Sequence, residues 1–167
     1  MFKEINCKEI GDNIFRLIGD DWLLVSASAE TGSCNVMTAS WGMAGILWNR
    51  PVAQIFIRPT RYTMEFLESG DKFALCVFPP ELKGKIHSVC GKKSGRDTDK
   101  IKETGITPIS QNGYTYFEEA RLVLLCETIY KDDIKPECMI DKSIEANYDN
   151  DYHRAYIGEI KGILKKQ

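Results

Sequence analysis

Apolar residues along this chain fall in short runs between turn residues, not at the spacing of long amphipathic helices. Trp22–Ala29 (WLLVSASA) reads as a strand closed by Glu30-Thr31-Gly32-Ser33, which is turn chemistry. Asn35–Trp41 (NVMTASW) and Pro51–Ile57 (PVAQIFI) read as the second and third strands. Lys72–Phe78 (KFALCVF) reads as a fourth, ended by Pro79-Pro80. Between the last two, Thr60 stands at a helix start, Tyr62, Phe66 and Leu67 follow at helical spacing, and Gly70 supplies the stop. Glu81–Lys100 is polar, holds Gly84, Gly91 and Gly95, and predicts a short helix and an ordered loop. Asp97 is placed to cap a further short helix ending near Gly105. Strands resume at Thr107–Ser110, Ala120–Tyr130 and Ala155–Leu164. Lys131–Asp151 is too polar for a core strand and predicts an excursion over the surface. Such a density of strands predicts a mainly β (α+β) barrel or sandwich with short helical insertions.

Composition narrows this picture only at its edges. A chain of 167 residues suits one domain spanning 1–167. A formal charge of -2 gives no electrostatic reason to expect nucleic acid or an anionic membrane as partner. No stretch approaches the roughly 20 apolar residues of a membrane span. The opening MFKEINCKEIGDN lacks the apolar run of a secretory signal. Six cysteines (Cys7, Cys34, Cys76, Cys90, Cys126 and Cys138) form no CxxC pair and are not grouped with either histidine, so no metal site is expected. The expectation is a cytoplasmic protein with reduced thiols.

Four segments could carry chemistry. In Asn35–Trp41, strand alternation would set the hydroxyls of Thr38 and Ser40 on one face, able to hydrogen-bond the polar rim of a flat heterocycle; spacing alone favours a solvent-facing polar strand face. In Ile57-Arg58-Pro59-Thr60-Arg61-Tyr62-Thr63, two arginines flank a helix start, which suits a phosphate; surface arginines beside an ordinary cap are the alternative. Cys90-Gly91-Lys92-Lys93-Ser94-Gly95-Arg96-Asp97, continuing to Asp99-Lys100, could wrap backbone N–H groups and charge around an anion, or form a solvated basic turn; it is not a Walker loop. His153, before the alternating strand YIGEIKGI, could bond a carboxamide or shuttle a proton, or sit at the surface. No serine-histidine-acid order or paired-carboxylate pattern emerges.

Taken in order, NVMTASW at 35–41, PVAQIFIRPTRYT at 51–63, FLESGDKFALCVF at 66–78, CGKKSGRDTDKIKETGIT at 90–107 and HRAYIGEI at 153–160 resemble the flavin reductase-like family of FMN-binding split β-barrels. The likeness covers roughly residues 15 to 165 and leans to the flavoredoxin-type members. The resemblance implies noncovalent FMN at a homodimer interface, NAD(P)H as co-substrate, and free flavin or an electron-transfer protein as acceptor. It implies ring contacts from Thr38, Ala39, Ser40 and Trp41, and phosphate contacts from Arg58, Arg61 and Thr63. Ser94, Gly95 and Arg96 match the loop that closes over the cofactor, with Asn35, Tyr62 and Cys90 in the same cofactor-binding segments. His153, five residues before Gly158, is similar to a histidine placed near the nicotinamide. Cys76 stands where many relatives carry asparagine close to the flavin, and Lys131–Asp151 matches no motif of the family. Two alternatives remain: an electron carrier with little NAD(P)H activity, and a noncatalytic FMN- or haem-binding barrel.

Overall fold

The computed structural model describes residues 1–167. Ten strands dominate it: β1 (Phe2–Glu4), β2 (Leu23–Ser28), β3 (Cys34–Ala39), β4 (Gly42–Leu47), β5 (Arg50–Ile57), β6 (Lys72–Val77), β7 (Pro108–Gln111), β8 (Tyr114–Phe117), β9 (Leu122–Asp133) and β10 (Arg154–Lys166). Three helices are inserted: α1 (Thr63–Ser69), α2 (Pro80–Cys90) and α3 (Lys100–Thr104). The main sheet runs β3-β2-β6-β9-β10-β5-β4, with β1 on the far end of β10 and every pairing antiparallel. β7 and β8 form a separate hairpin. No helix is long and apolar enough to cross a membrane.

All six residues of β2 are buried, which is why LLVSAS shows no clean alternation. Leu23, Val25 and Ala27 join Ile55, Phe73, Leu75 and Tyr156 in one core. Leu24 faces the other way, into a second core with Val36, Ala74 and Cys76 that α2 and β8 cover through Ile86, Val89 and Phe117. The sheet is thus packed on both faces where β2 and β6 cross its middle.

Several expectations shift. GMAGIL carries no strand period, being glycine-rich and mostly exposed on the sheet edge, yet it forms β4. β8 is fully buried, and the Asn112-Gly113 turn before it, with φ of 53° and 82°, was an available hairpin signal. Thr60 is no cap: α1 begins at Thr63, and Arg58–Arg61 form a turn closed by the Arg61 N–H on the Arg58 carbonyl at 3.0 Å. Asp99, not Asp97, caps α3, accepting from the Lys102 N–H at 3.0 Å, and Gly105 ends it with φ 68°. Strand β9 runs on to Asp133 despite its charges, because Arg154 on β10 binds both Asp133 oxygens, at 2.6 and 2.9 Å. Beyond Asp133 the chain does leave the sheet, through two 3-10 turns at Pro136–Cys138 and Lys142–Asn147.

Candidate functional site

A cleft of about 480 Å³ lies where the end of β3, the turn after β5 and the loop after α2 converge, a size usual for small-molecule sites. From the first segment come Asn35, Thr38, Ala39, Ser40 and Trp41. Ser40 and Trp41 follow the last residue of β3, so the corner into β4 places them and not strand alternation. From the second segment come Arg58, Arg61, Tyr62 and Thr63, and from the third Cys90, Ser94 and Gly95. His153 closes the far side.

The three segments are locked together by polar contacts and missing side chains. Buried Asn35 donates from Nδ2 to the Thr63 hydroxyl at 2.8 Å, tying β3 to α1. A Cβ on Gly95 would collide with the Asn35 amide, and one on Gly91 would lie 2.7 Å from Thr38 Oγ1. The basic loop therefore rests its backbone directly on β3, a close approach that glycine permits.

Two expected residues stand outside the cleft. Cys76 is fully buried in the second core, between Leu24 and Val123 in the sheet and under Phe117, so it cannot line the cleft. Burial pushes its thiol far up. Arg96 turns away: its guanidinium lies 4.7 Å from the Tyr62 ring centre and pairs with Glu65. It fastens the loop to α1 from outside.

The arginines divide in a way the sequence did not indicate. Arg58 Nη1 donates to Asp151 Oδ1 at 2.5 Å and Nη2 donates to the Asn147 carbonyl at 2.8 Å, so its charge is already neutralised. Arg61 makes no ion pair. Lys100, not singled out as a site residue, lines the cleft beside it at only 5% exposure, and no carboxylate reaches it. Burial lowers its pKa; Cys90 opposes this and Arg61 adds to it. Burial likewise pushes the Cys90 thiol up to about 11. Nothing in the sequence separates Lys100 from the exposed lysines around it; only the fold buries it.

His153 is not the surface histidine that its polar neighbours suggested. It is 7% exposed, and its ring packs against Trp41 and Phe56, at 5.1 and 6.5 Å between centroids. Its pKa falls to about 4, first through burial and then through Arg58, with Asp151 opposing. It is a neutral imidazole at physiological pH.

Comparison with known proteins matches the flavin reductase like domain to residues 15–165. No curated protein matches the chain. Among solved structures, the FMN-binding domain of a flavin reductases-like enzyme from Shewanella baltica OS155 is 18% identical, with a TM-score of 0.69 over 99% of this chain and 77% of that one. A flavoredoxin from Methanosarcina acetivorans is 19% identical, with a TM-score of 0.66 over 88% and 69%. The styrene monooxygenase flavin reductase from Pseudomonas putida S12 is 16% identical, with a TM-score of 0.62 over 87% and 80%. The fold these share is the mostly antiparallel split barrel described above, and with the family matched from residue 15 to residue 165, this chain belongs to the flavin reductase-like family.

Proposed function

We propose that the cleft binds FMN noncovalently and that the protein is an NAD(P)H-dependent oxidoreductase, passing electrons on to free flavin or to a protein acceptor. The observation that carries this is the pair Arg61 and Lys100, two cations without ion-pair partners in a cleft lined by further lysines, Lys92 and Lys93, by hydroxyl, amide and aromatic groups, and by a single carboxylate, Asp97. A largely buried lysine with no counter-charge is costly, and a bound phosphate would supply one. The residues fit FMN in their chemistry. Arg61 and Lys100 would hold the phosphate, the Thr38–Trp41 corner would meet the ring, and Gly91 and Gly95 let the loop backbone come close. Relatives described as FMN-binding and as flavoredoxin support the reading.

When bound, FMN supplies the hydride and electron chemistry. The chain's residues bind, orient and exclude water. Trp41, Phe56 and His153 form an aromatic wall against which a flat second substrate can lie. Neutral His153 offers a hydrogen bond there without adding charge. A cytoplasmic setting, in which the six cysteines stay reduced, belongs to the same proposal.

The test is spectroscopic. Purified protein should take up added FMN, and NADH or NADPH should bleach its visible bands without oxygen. A protein that stays colourless with excess FMN removes the proposal. FMN uptake with reduction by a ferredoxin but not by either nucleotide leaves the electron-carrier reading.

A homodimer belongs to the same proposal. On edge strand β4 and its turn, Met43, Ile46 and Trp48 are exposed, Trp48 packing on exposed Tyr130, and the cleft's Trp41 lies at the strand's start. An exposed apolar edge suits an interface, and a second copy seated there would border the cleft. Ile46→Asp is expected to convert a dimer to a monomer in light-scattering chromatography and to weaken FMN. A monomeric wild type contradicts this.

A further inference from the structure

The excursion after β9 returns to the cleft through one cluster of side chains. Tyr148 Oη lies 3.0 Å from His153 Nδ1. The Tyr148 ring is held from two sides, stacked on Tyr152 at 4.7 Å and 5.1 Å from the Arg58 guanidinium. Arg58 is fastened in turn by Asp151 and by the Asn147 carbonyl. The partners of the first cleft arginine thus all come from residues 147–151, a stretch that no sequence motif marked.

The direction of the Tyr148–His153 bond decides what the histidine can do. A neutral imidazole carries one N–H. If that proton sat on Nδ1, the phenol would accept it, and the phenol's own proton would find no acceptor within the chain. If the phenol donates instead, its proton is used, and the imidazole proton is on Nε2, where only a ligand or solvent in the cleft can accept it. Phenol to imidazole nitrogen is also the stronger pairing, an acidic donor on a basic acceptor. Nε2 makes no hydrogen bond within the protein, and the ring lines the cleft.

We propose that Tyr148 is a positioning residue that fixes His153 as an Nε2–H donor, directed to the carbonyl oxygen of a flat, carboxamide-bearing substrate lying on the Trp41–Phe56 wall. Arg58 and Asp151 serve this arrangement by holding Tyr148, not by binding phosphate. The substrate half rests on the redox reading above, whereas the tautomer does not.

The tautomer is read directly from long-range ¹H–¹⁵N spectra of the labelled protein without cofactor. The chain has only His87 and His153, so assignment needs one variant. Wild-type His153 should show a pyridine-type Nδ1 and a pyrrole-type Nε2. Tyr148→Phe keeps the ring contacts to Tyr152 and Arg58, so it should fold, and it should shift both nitrogens toward the averaged values of a mixed tautomer. Nicotinamide added to the FMN-loaded protein should shift the His153 Nε2 resonance and bind about twofold more weakly to Tyr148→Phe, the cost of selecting one of two similarly populated tautomers. A wild-type proton on Nδ1, or unchanged nitrogens in Tyr148→Phe, overturns the positioning role and leaves the FMN reading standing. A His153 resonance unmoved by saturating nicotinamide overturns the donor role. Failure to bind FMN, with the Nε2–H tautomer present, removes the redox reading and leaves the tautomer assignment intact.

Discussion

Replacing Arg61 with alanine and Lys100 with methionine together is expected to weaken FMN roughly a hundred- to ten-thousandfold while riboflavin weakens several-fold at most. Each charge-assisted hydrogen bond to phosphate contributes about 1.5–3 kcal/mol, and about 1.4 kcal/mol is tenfold in affinity. Riboflavin has no phosphate, so it reports only what the substitutions do to the rest of the cleft. Arg58→Ala provides the contrast. Its guanidinium already serves Asp151 and the Asn147 carbonyl, so its loss should weaken both ligands alike. Lys100 adds a second readout of opposite sign. Its side chain is largely buried without a counter-charge and its pKa is lowered, so at neutral pH the charged form destabilises the empty protein. Lys100→Met alone should therefore raise the melting temperature of the flavin-free protein while lowering FMN affinity. Fluorescence titration with both flavins and thermal unfolding measure these outcomes. Equal loss of FMN and riboflavin in the double variant would mean that phosphate is not bound by this pair.

Gly158→Ala is expected to be the most damaging single-methyl change in the sheet. An alanine Cβ there would lie 2.6 Å from Phe73 Cζ, 2.7 Å from its Cε1 and 2.9 Å from Cys126 Cβ. Phe73 and Cys126 are both completely buried, so neither can swing into solvent to make room. Overpacking of this kind costs about 1–3 kcal/mol. For a chain of this size that lowers the melting temperature by roughly 2–12 °C. Phe73→Leu in the same molecule should recover part of the loss, because the two sites share one contact and their effects will not add. A melt of Gly158→Ala that coincides with wild type would refute the crowding. The glycine also explains a spacing. His153 and Gly158 bracket the start of β10, the first at the cleft and the second where the register skips Ile129 and the Phe73 ring crosses the strand. One end of the pentad serves the site and the other lets the sheet pack.

Much of this architecture is legible along the chain. The runs PVAQIFI and KFALCVF became β5 and β6 within a residue or two, because their branched and aromatic side chains have a buried face to fill. β4 was illegible because an exposed edge strand with two glycines carries no period. The cleft was largely legible as well. Thr38, Ser40, Arg61, Ser94 and His153 stand out in segments more than a hundred residues apart at the extremes, and the fold brings them to one place. The roles of the charges were not legible. Arg58 and Arg61 stand three residues apart in one motif, yet one is consumed by Asp151 and the other is free. Cys76 reads as a strand residue near the cofactor until β8 is seen to cover it.

The local pattern, then, determines which stretches are strands, where hydroxyls and cations cluster, and which family the chain belongs to, because these follow from side-chain chemistry read over a few residues at a time. Which cation keeps its charge for a ligand, which histidine is neutral, and that a motifless excursion reaches back to hold that histidine were decided only by the tertiary structure. Burial and charge pairing depend on neighbours distant in the chain. Asp151 lies ninety-three residues from Arg58, and no periodicity in between records that they meet.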